Sequence, residues 1–131
     1  STTMNLALTG HTSLRLTLDD APLEITLDTD DEEVGFGPLH MLAGSLATCT
    51  AAVLAAYADT AHLHLDGTII MLEWDYTENP HRVGAYRMNL QFPAEISEPR
   101  RKALLRAAEQ CTVHATLLHP PTIAIGEQLQ P

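Results

Sequence analysis

Hydrophobic positions along this chain follow two periods. In SLRLTLDD (13–20) they alternate strictly, with Leu14, Leu16 and Leu18 on one face and Arg15 and Thr17 on the other. APLEITLDT (21–29) does the same with Leu23, Ile25 and Leu27. A period of two marks a half-buried strand, and Asp19-Asp20-Ala21-Pro22 supplies a turn, so the two stretches predict a hairpin. Residues 4–9 alternate more weakly. After the acidic loop DTDDEEVGFG (28–37) the pattern changes. Pro38 opens a run of Leu and Ala reaching about Ala58 that predicts a helix, because proline suits a first turn, where its missing N–H has no partner to lose. Strand-like alternation returns in HLHLDG with TIIMLEWDYTE (62–78) and in HRVGAYRMNLQF (81–92), on either side of Asn79-Pro80. ISEPRRKALLRAAEQC (96–111) predicts a second helix, capped by Ser97, with Ala103, Leu104, Ala107 and Ala108 on one face. The chain closes through CTVHATLLHPP and a strand-like TIAIGE. The order β-β-α-β-β-α-β lacks the βαβ alternation of a doubly wound sheet and predicts an α+β fold, in one domain over residues 1–131.

Composition narrows the function. A chain of 131 residues, 45% apolar and 18% charged, has the profile of an ordinary globular protein able to bury a core. Seventeen acidic residues against seven basic ones give a net charge of −10, which opposes binding to nucleic acid or to an anionic membrane. Arg100-Arg101-Lys102 is too short a basic cluster to form a groove. The acidic loop lacks the ligand spacing of a calcium site and reads as solvated. Leu39–Ala58 carries no formally charged residue and matches a membrane span in length. Its many Ala residues, diluted by Gly44, Ser45, Thr48 and Thr50, make it only weakly hydrophobic, and no Lys or Arg flanks it. It reads as a central core helix, covered on most sides, in a cytoplasmic protein. The opening STTMNLALTG has neither the basic start nor the apolar run of a signal peptide.

The candidate chemistry centres on two cysteines, Cys49 and Cys111, with 61 residues between them. Cys49 lies in a run of small apolar residues, where a thiol serves either as packing material or as a sulfur held in a controlled environment. Arg15, His11, Arg82 and Arg87 are the candidates for lowering its pKa. Cys111 stands three residues before His114, a spacing that can place both side chains on one helical face, for a metal or for an activated thiol. His40 and His114 each share a segment with a cysteine. A zinc site from Cys49, Cys111, His114 and His40 satisfies tetrahedral ligation only from scattered segments. A Cys-His hydrolase lacks any marked oxyanion loop. No phosphate-binding or dinucleotide motif is present, so no cofactor is called for.

FGPLHMLAGSLATCTAAVLAAYA resembles the central-helix signature of the OsmC/Ohr family: a Gly-Pro opening, a run of Leu and Ala, then Ala-x-Cys. LLRAAEQCTVHATL resembles the family's second-cysteine segment, and NPHRVGAYRMNLQFPAEIS its intervening strand. The likeness spans about residues 10–125. It implies an α+β fold with two long helices wrapped by antiparallel sheet, and an intertwined homodimer with sites at the subunit interface. It also implies a thiol peroxidase in which Cys49 attacks an organic hydroperoxide and becomes a sulfenic acid. Cys111 then closes a disulfide, and a dithiol reductant, lipoyl-type or thioredoxin-like, reopens it. Where the family carries a Glu just after the helix-opening proline, this chain has Leu39 and His40. Arg15, with His11 as the alternative, stands near the position of the family's activating Arg, and His40, Glu32 and Glu33 are the substitutes for the missing acid. The alternative reading is an OsmC-like protein without peroxidase turnover, which binds a small apolar ligand or senses redox state at the dimer interface.

Overall fold

The computed structural model describes the strand backbones at residues 4–8, 13–18 and 24–28, and all of residues 37–131. The chain divides into two compact units, Ser1–Leu42 and Ala43–Pro131.

The first unit holds an antiparallel sheet of β1 (Met4–Leu8), β2 (Ser13–Leu18) and β3 (Glu24–Asp28), in that order. Leu14 pairs with Leu27 and Leu16 with Ile25, the register that the two leucine alternations require. The weakly alternating first segment is a full partner, with Leu6 opposite Leu16. The long helix α1 (Pro38–Ala61) opens here. Its first helical bond runs from the Met41 N–H to the Gly37 carbonyl, and the Gly37 N–H donates to His40 Nδ1 at 3.0 Å. His40 thus does at the third helical position what Glu or Gln does in a capping box, reaching back to a backbone donor that the helix leaves unsatisfied.

In the second unit α1 buries Ala43, Leu46, Thr50, Leu54 and Ala58, a stripe at helical spacing. The expectation of a helix covered on most sides is corrected in the single chain: Gly44, Ser45, Thr48, Ala51, Ala52, Ala55 and Ala56 are exposed. By length and composition α1 is apolar enough to cross a bilayer, and its stripe supplies Leu54 to a core shared with Ile96 and Leu104. The helix ends in a Schellman turn. His62 adopts φ 56°, its N–H bonds the Asp59 carbonyl, and the Leu63 N–H bonds the Ala58 carbonyl at 2.8 Å. HLHLDG is therefore no strand. Its alternation is real, since Leu63 and Leu65 pack on the core while His62 and His64 are exposed, but the backbone turns again at Asp66-Gly67. There a Thr68 N–H to Leu65 carbonyl bond closes a turn that needs φ +91° at Gly67.

β4 (Ile69–Thr77) and β5 (Arg82–Gln91) form the antiparallel hairpin around Asn79-Pro80. Opposite Tyr76 the register slips by one residue, and Gly84 is the extra residue of the bulge. A Cβ on Gly84 would lie 2.9 Å from both Cβ and Cγ2 of Thr77, so only glycine fits. The expected second helix (96–111) is α2 (Glu98–Ala108), and a further helix that the pattern did not predict, α3 (Thr112–Leu118), lies in CTVHATLLHPP. Ser97 occupies the N-cap position of α2, but its hydroxyl makes no capping bond. TIAIGE is not a strand, and residues 119–131 carry no regular structure. A strand exists only by pairing, and no neighbouring strand meets this segment among the described residues. The described fold is α+β, with three helices and antiparallel pairing throughout.

Candidate functional site

The break between α2 and α3 positions the second sulfur. α2 tightens at its end, the Glu109 and Gln110 N–H groups bonding back to the Arg106 and Ala107 carbonyls. Cys111 then turns to extended backbone, φ −67° and ψ 132°, and becomes the N-cap of α3. Its fully buried Sγ accepts the His114 N–H at 3.4 Å, the role that a Ser or Asp oxygen usually fills. The histidine contributes its backbone, and among the described residues no three His, Cys, Asp or Glu side chains gather as metal ligands.

Cys49 reaches the same place from the middle of α1. It is half-buried, and both cysteines are free thiols. The Cys111 thiol first, then the Val113 N–H and least the Thr112 N–H, stabilise a thiolate on Cys49 and hold its pKa below the ordinary thiol value, against an opposing effect of burial that ranks between the two amides. The first amides of α3 thus act on two sulfurs: the His114 N–H bonds Cys111, and the preceding two favour the thiolate form of Cys49. Chemically this is a dithiol in which the enclosed thiol of Cys111 favours ionisation of the half-buried Cys49.

The other candidates fall elsewhere. His40 lies nine residues before Cys49 and caps the start of α1. Arg15 pairs with Ala7 and Thr26 in the first sheet; its side chain, with His11, Glu32 and Glu33, lies outside the described residues. Arg82 bonds the Glu78 and Pro80 carbonyls, and Arg87 pairs with Asp75 at 2.6 Å and Glu73 at 3.5 Å, so both are engaged on the hairpin itself.

A groove of about 510 Å³ adjoins the cysteine segments, lined by Leu46 and Thr50 of α1, by β5 residues that include Tyr86, Met88 and Leu90, by Leu105 and Ala108 of α2 with Glu109 just after it, and by His114, Leu117 and Leu118 of α3. Thr50, next in sequence to Cys49, is 1% exposed and donates to the Leu46 carbonyl. Tyr86 also lines the groove, with its hydroxyl enclosed. Neither Tyr86 nor the α3 amides was singled out in the sequence. The signal for Tyr86 was its inward place in the alternation of β5, where an aromatic carries a polar tip into an apolar layer.

A family model described as OsmC-like protein matches residues 28–126. The chain belongs to the OsmC-like family. Sequence comparison with curated proteins returned no match. Among solved structures the fold is similar to an OsmC-like protein from Mycoplasma pneumoniae, at 21% identity over 92% of this chain and 89% of that one, TM-score 0.75. A hypothetical protein from Aquifex aeolicus VF5 gives 17% identity, 92% and 89% coverage, and a TM-score of 0.71. The organic hydroperoxide resistance protein OhrB of Bacillus subtilis gives 17% identity, 88% and 90% coverage, and a TM-score of 0.58. At these identities the likeness is one of fold. Within the OsmC-like frame, both cysteines fall inside the matched span.

Proposed function

We propose that this OsmC-like chain is a single-domain, cysteine-based peroxidase that reduces organic hydroperoxides, acting as a homodimer in the cytoplasm. The observation that carries this reading is the meeting of Cys49 and Cys111 at the first amides of α3. The Cys49 thiolate attacks the terminal oxygen of the hydroperoxide. The O–O bond breaks, the alkoxide leaves and takes a proton to become the alcohol, and Cys49 is oxidised to a sulfenic acid. The Cys111 thiol then attacks that sulfur; water leaves and a disulfide closes. A dithiol reductant, lipoyl-type or thioredoxin-like, reopens it by exchange. Cycling between dithiol and disulfide suits a reducing compartment. Arg15 is assigned as the cation supporting the thiolate, and His40 a place in the polar network at the start of α1. The exposed Ala-rich face of α1 supports close packing against a second copy, since small side chains let backbones approach.

Trapping tests the first step. Cys111→Ser treated with one equivalent of cumene hydroperoxide should take up dimedone at Cys49, seen as a mass increase on that peptide. Dimedone uptake elsewhere, with none at Cys49, would remove Cys49 as the attacking thiol.

A further inference from the structure

The first four N–H groups of a helix have no acceptor inside it and must find one elsewhere. In α3 the Ala115 N–H bonds the Cys111 carbonyl at 3.0 Å, and the His114 N–H bonds the Cys111 Sγ at 3.4 Å. The remaining two, on Thr112 and Val113, favour the thiolate on Cys49. One residue's carbonyl and two sulfurs therefore hold the opening turn. With seven residues, α3 has little cohesion of its own and depends on that turn. The same helix supplies His114, Leu117 and Leu118 to the wall of the groove. The pair of sulfurs that carries the chemistry is also the cap of a groove element.

We propose that Cys49 and Cys111 form a redox latch on α3: the dithiol holds the first turn closed, and the disulfide releases it and loosens the groove wall. As a step in turnover this rests on the peroxidase reading, to which it adds a conformational change at the same site. In the reduced pair the bonds run in relay, from the His114 N–H to the Cys111 sulfur and from the Cys111 S–H to Cys49, so each strengthens the next. Closing the disulfide forms one S–S bond and removes two electrons and two protons, which leave with the hydroperoxide as alcohol and water. The product has neither the S–H that polarises Cys111 nor the charge that draws the Thr112 and Val113 amides. The Cys111 sulfur, once bonded to its neighbour, also takes its position from that bond and no longer from the His114 N–H. The helix start loses its sulfur acceptors together.

Amide hydrogen exchange read residue by residue on the full chain tests this. Diamide serves as the oxidant, since it accepts the two electrons and two protons as a hydrazine without any peroxide chemistry, and mass spectrometry of an unreduced digest verifies the Cys49–Cys111 bond. The His114 amide should exchange about five- to tenfold faster in the disulfide form than in the dithiol, the range for losing a helix cap. Residues 115–118 should follow, while Leu104 in α2 stays as protected as before. Cys111→Ala, which lacks the capping sulfur, should show fast His114 exchange with no oxidant. Cys111→Ser restores an acceptor and cannot form the bond, so its exchange should stay slow before and after diamide. Equal His114 exchange in dithiol and disulfide overturns the proposal, as does full protection in Cys111→Ala or failure of diamide to join the two cysteines. Loss of protection reaching Leu104 also overturns it, because the disulfide would then unfold more than α3. Diamide-driven release in a protein whose thiols resist hydroperoxide supports the latch and removes the peroxidase reading. A disulfide closed by hydroperoxide with α3 still protected does the reverse.

Discussion

Cys49 owes its softened pKa to three donors, and the Cys111 thiol is the largest of them. Removing it should therefore be measurable directly. In Cys111→Ala the pH profile of iodoacetamide alkylation at Cys49 should move upward toward an ordinary thiol, while the parent protein alkylates at lower pH. Coincident profiles would show that Cys111 does not tune its neighbour. Because the folded pKa lies below the unfolded one, the thiolate's contribution to stability is complete above the ordinary thiol pKa and fades as pH falls through the folded value. Gly84 makes a different residue-scale claim. Its hydrogen occupies space that a methyl cannot share with the strand-anchored Cβ of Thr77. Gly84→Ala should cost about 1–3 kcal/mol in urea denaturation, the range for a forced overpacking; an unchanged midpoint would mean that the bulge relaxes freely.

At the scale of elements, α3 is a seven-residue helix and α2 an eleven-residue one. Neither is long enough to stand by itself, so packing must hold them. Leu104, the fully buried residue of α2, joins it to Leu54 of α1 and to Ile96. Leu104→Ala should destabilise by about 2–5 kcal/mol and blunt the pKa depression at Cys49 with it, since α3 follows directly from α2. Loss of stability without any change in the Cys49 alkylation profile would show that the α3 amides hold their place independently. These elements also show what the sequence could and could not disclose. The strands of the first hairpin and of β4–β5 were legible because one face of each is apolar at period two, and the two cysteine segments were legible as the candidate site. The helix α3 was not legible: nothing in CTVHATLLHPP marks Cys111 as a residue that turns out of one helix to become the cap of the next. HLHLDG misled for the opposite reason. Alternating burial does not require a strand when a Schellman turn and an Asp-Gly turn enclose the segment. TIAIGE has the pattern of a strand, and pattern alone does not supply an edge. The His40 cap was not legible because the sequence shows a histidine in place of an acid but not the Gly37 N–H that it accepts.

At the scale of the whole molecule, assembly and chemistry are linked in the peroxidase reading. The exposed Ala-rich face of α1 is the surface assigned to the second copy, so Ala52→Arg should convert a dimer to a monomer in sedimentation velocity; an unchanged mass would place the interface elsewhere. The net charge of −10 adds general repulsion of anionic partners. The central claim is that Cys49 and Cys111 form one redox unit for hydroperoxides, and peroxide consumption measured beside thiol loss tests it most directly. With cumene hydroperoxide, the reduced protein should consume one peroxide and lose two thiols per chain, and turn over continuously once a dithiol is added. Cys49→Ser should abolish consumption, whereas Cys111→Ser should allow a single turnover that stops at the sulfenic acid. Undiminished consumption in Cys49→Ser, or a folded wild-type protein that keeps both thiols in excess hydroperoxide, would contradict it.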